Sequence, residues 1–197
     1  MKNFLSIDDP LVAQLLAAGS VGVIPTDTIY GLAAAASNPA AVARLYALKD
    51  REQKPGTIIA AHIEQLVDLG LNEVLVHGVA HLWPNPLSIV IPVKEQLGYL
   101  DQNVGSLAVR IPQDEALRSL LAKTGPLVTS SANHPGEPPA NNLAEAKGYF
   151  NSRVDFYVDG GDRHNCAPST VVRLNTDGTL KTLREGALKI SAKGKII

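Results

Sequence analysis

The chain has 197 residues, a formal net charge of −1 and 45% hydrophobic residues. That length favours a single domain over 1–197, and the composition is that of a folded globular protein. The nearly balanced charge excludes a nucleic-acid binder that relies on overall attraction, so such a ligand would need a local basic patch.

The first part of the chain predicts helices that alternate with strands. Its N-terminus lacks the apolar core of a signal peptide, and no apolar run reaches the roughly 20 residues of a membrane span, so we expect a cytoplasmic protein without membrane contact. Asp8, Asp9 and Pro10 are typical of a helix start, and Gly19 of a helix end. We predict a helix over 10–18, a strand over 21–26, a helix over 39–49, a strand over 56–61, and helices over 62–69 and 71–82.

The second part of the chain predicts more strands than helices. Strands are expected over 86–93, 106–112, 126–133, 154–161, 169–174 and 180–187. Helices are expected over 113–125 and 142–150, with a turn-rich loop over 133–142 and a hairpin turn over 175–179. This order of elements predicts one α/β fold.

Polar residues gather at the ends of the apolar strands. They are Thr26-Asp27-Thr28, Arg110, Thr129-Ser130-Ser131-Asn133 and Ser169-Thr170. In open α/β sheets the crevice beyond the strand ends is where ligands usually bind. Each cluster also has an alternative structural explanation, because threonines stabilise turns and a Ser-Ser-Ala-Asn sequence can cap a helix.

Cations accompany these hydroxyl groups and point to a phosphate-bearing ligand. The predicted helix over 39–49 ends in Lys49 and is followed by Arg51 and Lys54. These cations could also simply complement the dipole of the helix. Together with Arg110 and Arg184 they form a set of groups that bind phosphate oxygens well. The sequence has neither a GxxxxGK[ST] nor a GxGxxG motif, so the usual nucleotide fingerprints do not account for them.

Seven segments in one order resemble the YrdC/TsaC family of threonylcarbamoyl-AMP synthases in its short single-domain form. They are IPTDTIYGLAA, LKDREQKP, LWPNPLSIVIP, SLAVRIP, PLVTSSANHPGEPP, PSTVVRL and LREGAL. The resemblance spans nearly the whole chain. It implies a twisted, open mixed α/β sheet around a central basic cleft, and a nucleotidyltransferase that joins L-threonine, bicarbonate and ATP into threonylcarbamoyl-AMP and pyrophosphate for t6A modification of tRNA.

The resemblance also implies a role for individual residues. Contacts with L-threonine are implied for Thr28, Arg110, Thr129 and Ser169. Contacts with ATP are implied for Lys49, Arg51, Lys54, Ser106, Ser131, Asn133 and Arg184, and Lys49 and Arg51 are also the implied catalytic residues.

The implied chemistry needs orientation and charge neutralisation more than a nucleophilic side chain. A carbamate formed from threonine and bicarbonate would attack the α-phosphate and expel pyrophosphate. Mg²⁺ is expected to be carried with ATP, with no metal held by the protein itself. Contact with tRNA and with proteins of the t6A pathway is possible on this interpretation.

Several residues depart from the family pattern or have no assigned role. Glu52 stands where the family often has proline, the segment over 49–54 is shorter by one residue, and Asn85 replaces a glycine. That asparagine is tolerable if it adopts a left-handed conformation. His164 is expected to be a solvated loop residue, and the single cysteine, Cys166, to be half-buried and in no internal disulfide.

Two alternatives remain open at this point. A diverged relative of the YciO type could keep the nucleotide cleft without this activity. An RNA-binding module could use the cleft without catalysis, although its affinity would then fall steeply with salt and its stacking aromatics are scarce at 5% of residues.

Overall fold

The computed structural model describes residues 2–50 and 53–197. Their strands are β1 (Lys2–Phe4), β2 (Gly22–Ile24), β3 (Gly31–Ala35), β4 (Thr57–Ile59), β5 (Leu87–Pro92), β6 (Ser106–Arg110), β7 (Leu127–Ser131), β8 (Phe156–Val158), β9 (Thr170–Leu174) and β10 (Leu180–Arg184). Their α-helices are α1 (Pro10–Ala17), α2 (Pro39–Leu48), α3 (Ile63–Asp68), α4 (Glu73–Val79), α5 (Gly98–Asp101), α6 (Glu115–Thr124) and α7 (Leu143–Phe150).

All of these strands join one twisted, open mixed sheet. Its order is β1-β8-β2-β3-β7-β4-β6-β5-β9-β10. Four neighbouring pairs are parallel, namely β1 with β8, β8 with β2, β4 with β6 and β5 with β9. The other five pairs are antiparallel. Strands from distant parts of the sequence therefore lie side by side, which agrees with the predicted mixed α/β fold.

The two faces of the sheet are buried under different helices, because strand side chains alternate between faces. On β4, Ile58 belongs to the larger core and Ile59 to the smaller one. The larger core contains buried residues from α2, α3, α4 and α7. The smaller core lies under α1 and α6, with Val12 and Leu120 among its residues.

Asparagine and aspartate side chains cap five of the helices. Asp9, Asn38, Asn72, Asp114 and Asn142 each accept a hydrogen bond from a backbone N–H in the first turn of the helix that follows. These bonds satisfy donors that have no partner inside a helix. Pro10 and Pro39 occupy the first helical position, as the sequence predicted.

The predicted elements lie close to the observed ones, with a few differences. β1 and β3 were not predicted. β3 has the sequence GLAAA, which lacks β-branched residues, yet it is fully buried between β2 and β7. The helix predicted over 71–82 is instead α4 followed by a 3₁₀ turn at Ala80–Leu82. A short helical segment over 95–101 was also missed.

The smaller core stops short of one end of the central strands, and this opens a cleft. Ile59 and Leu127 are directly opposite each other on β4 and β7, and both are buried in that core. Two residues away on the same face lies the opposed pair Thr57 and Thr129. This face of the sheet therefore changes from apolar to polar side chains over two residues of each strand. Within the described ranges, no helix has the length and apolar character needed to cross a membrane.

Candidate functional site

Two adjoining cavities occupy the polar end of the sheet. The inner cavity, of about 100 Å³, is lined by Thr26, Thr28, Ile29, Tyr30, Gly31, Pro55, Gly56, Thr57, Arg110, Thr129, Ser130, Ser131, Pro168, Ser169 and Arg184. The outer cavity, of about 600 Å³, is lined by Tyr46, Ala47, Lys49, Asp50, Lys54, Ser131, Asn133, Pro135 and Gly136. Ser131 lines both, so the two cavities meet at the end of β7.

The turn after β2 points hydroxyl groups into the inner cavity. Thr26 Oγ1 donates to the Ile29 carbonyl at 2.7 Å and accepts from the Thr28 N–H at 3.2 Å. Thr28 Oγ1 lies 3.0 Å from Thr26 Oγ1. Because the Thr26 proton is already used, the Thr28 hydroxyl donates to Thr26 and keeps its lone pairs for another donor.

The opposite wall of the inner cavity is built by β4 and β7. Thr129 Oγ1 donates to the Thr57 carbonyl at 3.0 Å, which fixes its hydroxyl group across the two strands. Gly56, just before β4, makes this approach possible, since a Cβ there would lie 2.6 Å from the Thr129 carbonyl oxygen. Any larger residue at position 56 would push the two strands apart.

Arg110 and Asp27 form a buried ion pair at one side of the inner cavity. Arg110 Nη2 is 3.1 Å from Asp27 Oδ1, and the two side chains are 5% and 0% exposed. Burial lowers the pKa of Arg110, and the negative charge of Asp27 opposes that shift. Burial also raises the pKa of Asp27, against the effect of Arg110. A guanidinium stays protonated in proteins, so a positive charge lines this cavity.

Arg184 and Ser169 meet at the far rim of the inner cavity. The guanidinium of Arg184 donates through Nη2 to the Ser169 carbonyl at 2.8 Å and to its hydroxyl oxygen at 3.1 Å. Ser169 Oγ is also 3.1 Å from Ser88 Oγ on β5. Gly186 packs against this segment, where a Cβ would lie 2.2 Å from the Pro168 carbonyl oxygen. Ser169 is therefore held on three sides.

Lys49 forms the base of the outer cavity and is anchored there. Its Nζ donates to the Ser131 carbonyl at 2.9 Å, to the Asn133 carbonyl at 2.5 Å and to Asn133 Oδ1 at 2.9 Å. The side chain comes from the residue that ends α2, and the residue is only 4% exposed. Lys49 thus ties the end of α2 to the end of β7.

Asn133 organises the loop that closes the outer cavity. Its Oδ1 also accepts from Ser131 Oγ at 2.6 Å, and its Nδ2 donates to the Glu137 carbonyl at 2.6 Å. Lys54, exposed on the opposite wall, lines the same cavity. Its backbone N–H donates to Gln102 Oε1 at 2.8 Å.

Most of the sequence-predicted site residues converge on these two cavities. The predicted threonine contacts, Thr28, Arg110, Thr129 and Ser169, all line the inner cavity. The predicted ATP contacts Lys49, Lys54 and Asn133 line the outer cavity, Ser131 lies at the junction, and Arg184 lies in the inner one. Arg51 and Glu52 lie outside the described residues.

Ser106 is not brought to either cavity. It lines a third, open cavity of about 640 Å³ beside β5 and β9, together with Val90 and Arg173. It shares the cleft face of β6 with Arg110, but four residues of extended strand, roughly 13 Å, separate them.

Three further residues have a defined place outside the cavities. His164 is exposed, and its Nδ1 lies 2.5 Å from Asp162 Oδ1, which raises the pKa of the imidazole. This confirms a solvated loop histidine. Cys166 is exposed rather than half-buried, because it closes a surface turn in which its N–H donates to the Arg163 carbonyl at 2.9 Å. Asn85 is outside the set of left-handed residues, and its amide donates to the Leu82 carbonyl at 2.8 Å.

Sequence reasoning missed two residues that shape the inner cavity. The sequence places Asp27 in a polar cluster at a strand end without indicating a role for it, and it indicates only a strand position for Thr57. The signal for Thr57 is the Pro-Gly pair before it, which permits a close approach of backbones. In the described part of the chain, no group of three or more His, Cys, Asp or Glu residues is placed to hold a metal ion.

Comparisons with known proteins identify the family of the chain. A model of the Sua5/YciO/YrdC family, described as "Telomere recombination", matches residues 14–186. The "Putative threonylcarbamoyl-AMP synthase" of Mycobacterium leprae is 33% identical over 190 residues, which cover 92% of this chain and 84% of that protein. The "Threonylcarbamoyl-AMP synthase" of Pseudomonas paraeruginosa is 34% identical over 175 residues, 86% of this chain and 94% of that protein.

A solved structure shares the fold over nearly the whole chain. Sua5 of P. abyssi, in a crystal structure complexed with L-threonine, matches 95% of this chain with a TM-score of 0.81 and 28% sequence identity. This chain spans 57% of that longer protein.

Proposed function

The chain belongs to the Sua5/YciO/YrdC family, and we propose that it is a threonylcarbamoyl-AMP synthase. The reaction joins L-threonine, bicarbonate and ATP into threonylcarbamoyl-AMP and pyrophosphate. The observation that carries the proposal is the pair of joined cavities. A small polar cavity with a buried guanidinium suits a small amino acid, and the larger cavity beside it, with Lys49 and Lys54, suits a triphosphate.

The inner cavity is the proposed threonine site. Arg110 binds the carboxylate, since its guanidinium is buried and still charged. The hydroxyl groups of Thr28, Thr129 and Ser169 hold the amine and the hydroxyl group of the substrate. These residues are fixed by hydrogen bonds to backbone or to neighbouring hydroxyls, so the cavity is formed before the ligand arrives.

The outer cavity is the proposed ATP site, and ATP enters it as its Mg²⁺ complex. Lys49 places a positive charge at the cavity base while holding Asn133, and Lys54 offers a second charge from the opposite wall. Ser131 contacts ATP at the junction of the two cavities. The family resemblance assigns ATP contacts to Arg51, Arg184 and Ser106 as well. On this proposal Arg184 lies at the end of ATP nearest to threonine. Ser106 contacts a part of ATP that extends along β6.

The chemical step that we propose is the one implied by the family resemblance. The threonine amine adds to bicarbonate, water leaves, and an N-carboxylate forms. One oxygen of that carboxylate attacks the α-phosphorus of ATP, the bond to the β-phosphate oxygen breaks, and pyrophosphate leaves. The protein brings the two reactants together and neutralises charge on the phosphates, which Lys49, Arg51 and Lys54 would provide.

We also infer three wider features from the same resemblance. Residues 1–197 form one domain, an inference that the sharing of one sheet by both halves of the chain supports. The protein acts in the cytoplasm. Its product is passed on for t6A modification, with tRNA and pathway proteins as the partners.

The test is pyrophosphate release from ATP by the purified protein, with threonine and bicarbonate each omitted in turn. We expect release that depends on both, that is abolished in Arg51→Ala and that is unchanged in Lys123→Ala, which removes an exposed cation from α6. ATP binding without threonine-dependent release would identify a diverged relative. Salt-sensitive RNA binding, without ATP binding and without pyrophosphate release, would identify an RNA-binding module.

A further inference from the structure

Asp27 is the buried member of an otherwise cavity-facing turn. Its neighbours Thr26 and Thr28 both line the inner cavity, whereas the side chain of Asp27 is 0% exposed and is covered by Arg110. Its other oxygen, Oδ2, accepts from the Gln113 N–H at 3.4 Å. Asp27 therefore has no surface in contact with the cavity, and its partner Arg110 does.

The geometry of this ion pair is not that of a purely structural one. A buried pair costs desolvation free energy that only well-formed hydrogen bonds offset. Here Asp27 Oδ1 and Arg110 Nε are the two buried side-chain atoms, among those that the structure describes, that lack a hydrogen-bond partner. Asp27 meets Nη2 and does not engage Nε, so it does not form the paired hydrogen bonds of a bidentate ion pair. Arg110 still lines the inner cavity, where a carboxylate ligand is an acceptor for the guanidinium.

The charge of Asp27 also matters because a second guanidinium is near. Arg184 lines the same cavity, and its charge disfavours the charged form of Arg110. Without Asp27 two cations would face each other across a small space. With it, the cavity carries one net positive charge, which matches the single carboxylate of an amino acid better than a polyphosphate.

We propose that Asp27 is a positioning residue that orients Arg110 and sets the inner cavity's preference for an amino-acid carboxylate. The proposal rests on the assignment of threonine to this cavity. Asp27 makes no contact with substrate and takes no proton; it acts by holding the guanidinium and by offsetting one of the two positive charges that line the cavity.

The experiment is equilibrium binding of L-threonine, measured by calorimetry with and without a non-hydrolysable ATP analogue, so that it does not depend on turnover. Asp27→Asn is expected to weaken threonine binding about tenfold while the affinity for the ATP analogue changes less than twofold. Asp155→Asn is the matched control, since Asp155 also pairs with an arginine, Arg44, but lies outside both cavities. It should change neither affinity.

A double-mutant cycle separates positioning from general damage. Arg110→Gln should weaken threonine binding at least as much as Asp27→Asn, and the double variant should lose no more than Arg110→Gln alone. If Asp27→Asn does not fold, Asp27→Glu is assayed instead, because it keeps the charge but displaces it. For Asp27→Glu too, weaker threonine binding with unchanged analogue affinity is the supporting result.

Three results would overturn the proposal. These are unchanged threonine affinity in the Asp27 variant, an equal loss for threonine and the ATP analogue, or losses that add in the double variant. Threonine binding by the wild type without pyrophosphate release would refute the proposed function while leaving this test intact. Absence of threonine binding in the wild type would refute both.

Discussion

Lys49 gives the sharpest stability prediction, because a residue expected at the ATP phosphates is also anchored inside the protein. In Lys49→Met the Ser131 and Asn133 carbonyls lose their ammonium donor, whereas Asn133 Oδ1 keeps the Ser131 hydroxyl. The Ser131 carbonyl keeps the Asn133 N–H at 3.0 Å, so the main cost falls on the buried Asn133 carbonyl, which loses its ammonium donor. Such a loss costs about 1–3 kcal/mol, so Lys49→Met should lower the free energy of unfolding by roughly 2 kcal/mol.

The assay is urea unfolding followed by circular dichroism, with thermal melts in parallel. For a chain of this size a loss of roughly 2 kcal/mol corresponds to a fall in Tm of about 4–8 °C. Lys54→Met is the matched control, since Lys54 is exposed and its change should stay within about 0.5 kcal/mol. If Lys49→Met unfolds within about 1 kcal/mol of the wild type, the anchoring role of Lys49 is wrong.

Three further predictions follow from other contacts. Gly56→Ala should lower the free energy of unfolding by about 1–3 kcal/mol and weaken threonine binding, because the new Cβ would meet the Thr129 carbonyl. Calorimetry that shows full affinity for threonine would contradict this. Asp114→Ala removes the cap of α6, whose carboxylate accepts from the Leu117 N–H at 2.8 Å. Urea denaturation should show that the free energy of unfolding falls by about 1 kcal/mol, and an unchanged midpoint would contradict this. For Asp155, burial raises the pKa, but hydrogen bonds from Arg44 and the Val21 N–H outweigh it and leave the pKa lowered. At pH values above the ordinary carboxyl pKa of 3.8, Asp155→Asn should therefore lower the free energy of unfolding by about 1 kcal/mol. The difference in stability between variant and wild type should vanish as the pH falls through the lowered pKa. A difference that persists in acid would refute this.

Elements with a strong pattern were predictable, and elements made by tertiary context were not. α6 starts with acids, ends in a glycine and was predicted within two residues at its start. β3 was missed because alanine carries no strand preference, and its place is decided by pairing with β2 and β7. β1 is three residues long and depends on its parallel pairing with β8. Nothing local in the sequence indicates that contact.

The candidate site was predictable as residue types but not as geometry. Strand-end hydroxyls and cations pointed to Thr28, Arg110 and Thr129, which the fold brings together. Ser106 shows the limit, because a residue on the correct strand face can still lie several steps from the cavity. The burial of Asp27 could not be read from the sequence either, since it depends on where β6 delivers Arg110.

The position of β7 has a consequence for how the two proposed substrate sites are spaced. Thr129 in the inner cavity and Ser131 at the junction are two residues apart on one strand, a separation of roughly 6.8 Å that peptide geometry fixes. β3 and β4 hold that strand from both sides, and a slip of one residue would turn its polar face into the core. The backbone of β7 therefore fixes the distance between the two cavities. Side chains along this strand can change while the distance between the two cavities stays the same.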